Sequence, residues 1–476
     1  MKTLLVIILS VATASLRADD KAVVVHEWGT FTCLQDEQGH ALGGINVDDE
    51  PVPSFVWGSE TVRRHNLGDF CLPPYQDRIK GWRPADPDVT MRLETPVLYF
   101  YPPKGTPAAD VPPLDVYVKF YGGVLSQYYP YAVTDGMPAD FPRVPTPPSI
   151  GTLNTGLDWK GVQLGSTAIP VQSDDPVWTT PRDVSAPMLA VPSPVYAEGQ
   201  MHLEPLAEHF LFYRGLGHVD SPVFLGRKNN VATLGIHDGA GDVKSGWVVE
   251  IRPDGKCAAR FVENNFEGIP TAAEQCVGGL LSWLGPFSTA FVDSDFTYDN
   301  LTKLKSSMHD TLVKEGLYDD EATAMLKTWE LSYFKSPGLR FFYIVPHAWV
   351  GKVLPLTITG APTEITRVMV GRIELISDEQ KAILARLSTG PCPDLQALKD
   401  AAENALKQRK LSDSERASYY GGEKPLSDLG IPIPPFVQDY LRLGRFRDAM
   451  VVHEQQEHPS PALAQFIKAS QLSTGQ

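Results

Sequence analysis

The chain has 476 residues, 43% of them hydrophobic and 21% charged, with a formal charge of −15. Such a composition excludes wholesale disorder, and the length exceeds what one ordinary core serves, so two or three domains are expected. Lysine and arginine lie scattered among acids, which excludes a nucleic-acid binder of the kind that carries a basic stripe; acidity by itself names no partner.

The first residues, MKTLLVIILSVATASLRADD, read as a secretory signal over residues 1–18. Lys2 supplies the charge, Leu4 to Ala12 the apolar core, and Ala12, Ala14 and Ala18 the small residues of a cleavage site. The apolar run is too short for a stable membrane anchor, and no later run reaches spanning length. An exported product, periplasmic or extracellular, is expected. That compartment permits disulfides. Chain order among the five cysteines suggests Cys33–Cys71 and Cys257–Cys276, leaving Cys392. No C-x-x-C occurs, so a cysteine zinc or redox motif has no support.

Proline (41 residues) and glycine (39 residues) are plentiful, which favours short strands and long loops over helices. VVVHEWGTF and MRLETPVLYFY (Met91 to Tyr101) read as strands, the second interrupted by Pro96. LDVYVKFY (Leu114 to Tyr121) alternates with period two. Pro130 to Ala197 is rich in Pro, Ser, Thr and Asp, and reads as a wrapped loop with short strands or an insertion. His209 to Gly217 resumes the strand pattern, and Asp254-Gly255 marks a hairpin turn within Gly246 to Glu263. Near Tyr298 the period changes. Leu301, Leu304, Met308 and Leu312 predict one helix. Ala322, Met325, Trp329 and Tyr333 predict a second, capped by Asp319 or Asp320. LRFFYIVP, LPLTIT and ITRVMVGRIELI return to strand, and from Ser377 the pattern is helical. YLRLGRFRDAM looks like a tetratricopeptide helix junction, but no second copy follows at a fixed period.

The expected fold is therefore α+β: a β-rich, sandwich-like main body, an inserted helical pair and a C-terminal helical region. Boundaries are drawn at 1–18 for the signal, 19–297 for the β-rich domain, 298–376 for the helical pair with its strands, and 377–476 for the helical tail.

HEWGTFT, ETPVLYFY, HFLFYRGLG and RVMVGRIELIS together resemble a set of secreted bacterial proteins of uncharacterised activity. The resemblance spans Val23 to Ser377. It implies a bacterial, exported protein and carries no catalytic role to any residue.

Within VVVHEWGTFT, strand geometry sends His26 to the face of Val24, Trp28 and Thr30, and Glu27 to the face of Val25 and Phe31. A buried carboxylate needs a partner. Arg92, two residues from Glu94 and on the same face, is the expected one. Glu27, Arg92 and Glu94 then form one network, either an acid–base pair flanking an arginine or a device for structural specificity. His209 joins this list of candidate catalytic residues. His202 and Glu204 share a strand face, and with His26 they make a candidate metal set, since two histidines and a carboxylate suffice for zinc or iron. A serine nucleophile elbow, a P-loop and a dinucleotide fingerprint are absent from the sequence. The aromatics between Trp57 and Trp178, QYYPY included, read as core packing or as a platform for sugar rings.

Two functional readings follow. The first is an exported binding or structural protein with a protein or polysaccharide partner. The second is a secreted hydrolase-like enzyme using Glu27, Arg92, Glu94 and His209, with metal help. No cofactor is readable. The enzyme reading requires Glu27 and Glu94 to meet in an open cleft; the binding reading requires them sealed and paired.

Overall fold

A computed structural model describes residues 21–47, 50–58, 62–63, 78–79, 86–137, 148–197, 200–243, 245–263, 286–412, 415–416, 419 and 426–472. The signal segment, Cys71 and Cys276 lie outside these residues. The fold is α+β and β-rich, built on one mixed sheet of fifteen strands.

The strands that matter for the site are β1 (Val23–Gln35), β2 (Met91–Tyr101), β3 (Gly123–Tyr129), β4 (Leu211–Gly217), β5 (Ser245–Ile251), β6 (Gly338–Ile344) and β7 (Thr363–Leu375). Their order across the sheet is β3-β4-β2-β1-β7-β6-β5. β1 is central. It runs antiparallel to β2 and parallel to β7, pairing with β7 along its whole length. A strand covered on both faces loses the alternation of apolar and polar residues, and every residue from Val25 to Gln35 is buried.

On one face of β1, Val25, Phe31 and Cys33 pack with Leu98, Tyr213 and Phe341. The sheet folds back over this face, and Val116, Val118, Leu157 and Trp159 complete the core. Two of these come from Asn154–Leu164, an eleven-residue strand inside the Pro-rich stretch; Leu189–Ala197 is another. There Pro192 and Pro194 lie within a strand, and Pro176 and Pro181 stand at the start of short helical turns, so the described part of the stretch is not a single long loop. On the other face, Trp28 meets Val97, Phe212 and Val370 beneath the helical insert. That insert comprises α1 (Asp299–Lys314), α2 (Asp319–Thr328) and a π-helical turn, Glu330–Phe334. Its cap differs from expectation. Tyr318 occupies the N-cap position of α2, and Glu321 accepts its backbone N–H at 2.7 Å, while Asp320 accepts from the backbone N–H groups of Ser185 (2.8 Å) and Glu321 (3.0 Å).

The chain then forms the short helix α3 (His347–Val353) and five longer ones: α4 (Asp378–Thr389), α5 (Leu395–Gln408), α6 (Pro435–Arg442), α7 (Arg447–Glu457) and α8 (Pro461–Ala469). These last five share a core with Leu34, Leu42, Ile45 and Ile376, so the tail is packed onto the end of β1. No helix among the described residues is long and apolar enough to cross a membrane.

The expected disulfides are not formed. Cys33, Cys257 and Cys392 are free thiols. Cys33 points into the apolar core beside Ser221 and Gln35, where burial pushes its thiol up to about 12.

Candidate functional site

Pairing with β2 and β7 divides the HEWGTFT stretch between two environments. On the folded-back side, Glu27 is fully buried and accepts hydrogen bonds from the Tyr213 hydroxyl and from Nε of Arg367. Arg367 also donates through Nη1 to the Leu354 carbonyl at 2.6 Å. Burial works against the Arg367 charge, yet Glu27 holds the guanidinium above its ordinary value. Burial, reinforced by Glu27, pushes the Tyr213 hydroxyl well up. The residue opposite Glu27 on β2 is Leu98; Arg92 stands opposite Thr32, on the reverse face. Glu27, Arg92 and Glu94 are thus two networks separated by the sheet.

The second network lies under the insert. Glu94 pairs with Arg92 and accepts from Thr32 (2.9 Å), Tyr333 (2.7 Å) and Arg445 (3.1 Å). Tyr333 is presented by the π-helical turn, and the Arg372 guanidinium stacks on its ring at 4.2 Å. Arg372 and Arg340 flank Glu374, the latter at 3.3 Å. These groups come from the sheet, the insert and the helical tail, so the network ties the three together. Burial opposes ionisation of Glu374, but Arg340, Arg372 and Arg445 hold its carboxyl below the usual range. A carboxylate with a depressed folded-state value stabilises fully above its unfolded value of 4.5, and that stability is lost as the pH falls through the lower folded value. Urea unfolding between about pH 3 and 6 is expected to show this acid limb, and Glu374→Gln to flatten it.

His26 points the same way as Trp28 and meets Glu321 of α2, Nδ1 to Oε2 at 2.7 Å. Tyr101 donates to the other Glu321 oxygen at 2.8 Å. Gly29 and Pro96 mark the bulge between β1 and β2. A Cβ on Gly29 would stand 2.9 Å from the Pro96 Cα, and Thr95 before it takes a positive φ of 44°. Phe31 meets Trp349 of α3 edge-on, centroids 4.8 Å apart. Packing or pairing therefore accounts for His26, Glu27, Trp28, Gly29, Phe31 and Thr32, while the buried Thr30 hydroxyl has no partner among the described residues.

The candidate metal residues do not converge. His202 and Glu204 lie on the edge strand Gln200–Glu208, with five strands between it and β1 in the sheet. Glu204 is exposed. No group of three or more metal-ligating side chains exists among the described residues. His209 sits apart from Glu27 and Glu94: its Nδ1 lies 3.3 Å from the Ala186 carbonyl, and its backbone N–H donates to Glu208. Glu208 itself is buried, taken up by Trp178 (3.0 Å) and Arg182. Of the aromatics in the QYYPY region, Tyr129 and Trp178 are core, while Trp57 is 41% exposed beside Tyr131.

Two cavities flank α3. One, of about 510 Å³, has Arg367 in its lining together with His347 and Glu315, so Glu27 reaches it only through its arginine. The other, of about 530 Å³, is built from the Val219–Ser221 loop after β4, the His237–Ala240 turn and the opposite side of α3. Gly239 in that turn has a φ of 73°, a conformation that favours glycine. At one wall the Ser221 hydroxyl is buried and lies 2.9 Å from the Tyr343 hydroxyl. Trp349, anchored on Phe31, and Val353 form an apolar side. Asp220, His237, Asp238 and Lys352 are exposed at the remaining sides. Asp220, Asp238 and Lys352 have no hydrogen-bond or ion-pair partner among the described residues. Isolated aspartates, a lysine and a lone histidine carry no sequence signal of their own; only the fold gathers them.

No protein-family model and no curated protein matches the chain.

Proposed function

We propose that this chain is an exported binding protein of the cell envelope or extracellular space, which takes its ligand in the 530 Å³ cavity beside α3. One contrast carries the reading. The buried carboxylates of the central strands are all engaged by arginine, tyrosine or histidine, whereas Asp220, Asp238 and Lys352 at the cavity have no partner among the described residues. An acid–base pair needs two carboxylates that face one substrate, and Glu27 and Glu94 face opposite sides of a sheet. A binding cavity needs an apolar wall with a few free polar groups, and this one has both. The N-terminal signal pattern and the resemblance to secreted bacterial proteins support export.

Co-sedimentation of the full chain with isolated bacterial envelope material tests the reading. The wild-type protein is expected in the pellet. Asp238→Ala is expected to weaken binding by about tenfold or more, since a hydrogen bond to a charged group contributes roughly 1.5–3 kcal/mol. A protein that stays in the supernatant, or an Asp238→Ala variant that sediments like wild type, contradicts it.

A further inference from the structure

We infer that the ligand of this cavity is a neutral sugar unit, held through its hydroxyl groups; the inference rests on the binding reading above. A sugar presents hydroxyls that both donate and accept, arranged around a ring with apolar C–H faces. Its site therefore needs acceptors, at least one donor and an apolar wall. Asp220 and Asp238 are acceptors only, and Lys352 is a donor only. Trp349, Val353 and Ile236, otherwise buried in the core, turn their edges to the cavity as its apolar part. The cavity's 530 Å³ falls within the range of about 300–1,000 Å³ usual for small-ligand sites. Two carboxylates against one ammonium disfavour an anionic ligand such as a phosphate. Because the three charged groups have no partner among the described residues, a sugar hydroxyl displaces only water from them. The main competitor is an organic cation, which the two aspartates would also attract.

The full chain is applied to a glycan array, and the best neutral oligosaccharide is then titrated by calorimetry. Spermidine and inorganic phosphate are titrated alongside. Asp238→Ala and Lys352→Met are compared with wild type, and their unfolding curves confirm that both fold; each residue is exposed and has no partner among the described residues, so neither change touches the core. Expected are saturable binding of a neutral oligosaccharide, a loss of about tenfold or more in each variant, and no heat from spermidine or phosphate. The inference is overturned if no glycan binds above background, if spermidine binds instead, or if both variants bind as wild type does. It is separable from the reading beneath it. If envelope binding is lost in Asp238→Ala but free oligosaccharide neither binds nor competes, the cavity stands and the sugar falls. If Asp238→Ala keeps its envelope binding, the cavity itself is wrong.

Discussion

Glu27→Gln is expected to lower stability by about 3–5 kcal/mol, the cost of removing one partner from a buried ion pair. The fold cannot relax around the loss. Arg367 is fixed by the Leu354 carbonyl and by its place on β7, and Tyr213 stands on β4, two strands away from β1. The variant leaves a guanidinium that is mostly buried facing a neutral amide. A double variant, Glu27→Gln with Arg367→Met, is expected to recover part of the loss, because the uncompensated charge is then gone. Urea midpoints at pH 7 measure both. A single variant as stable as wild type would show that the pair contributes nothing to folding.

Glu94→Leu is expected to cost a similar amount, about 3–5 kcal/mol, but with a different local signature. Glu94 is the acceptor shared by Arg92 of the sheet, Tyr333 of the insert and Arg445 from the turn between α6 and α7. Its removal loosens the contact between sheet and tail. Amide hydrogen exchange in α6 and α7 is expected to accelerate in Glu94→Leu and to stay near wild type in Glu27→Gln, whose partners all lie elsewhere. Equal exchange in the tail of both variants would remove Glu94 from that role.

The split of His26 from Glu27 was readable from strand geometry alone, because two adjacent residues of a strand face opposite ways whatever the neighbours are. The helical pair was readable too, since Leu304, Met308 and Leu312 repeat at helical spacing and all three are buried. The partners were not. Glu27 and Arg367 are 340 residues apart and meet because β1 and β7 run parallel, and nothing local in either strand specifies that pairing. Arg92 looks the natural partner of Glu27 only while register is unknown: the pairing sets Leu98 opposite Glu27 and Arg92 opposite Thr32, on the other face. The same limit hid the cavity. Asp220, His237 and Lys352 come from three segments, and each alone looks like an ordinary surface residue.

We propose that the charged residues of the opening strand build the fold, while binding belongs to the cavity beside α3. Measuring urea stability and envelope binding together on Glu27→Gln and Asp238→Ala tests this most directly. Glu27→Gln is expected to lose stability yet bind while folded, and Asp238→Ala to keep its stability and lose binding. A Glu27→Gln protein with wild-type stability and no binding, beside an Asp238→Ala protein that binds normally, would contradict it.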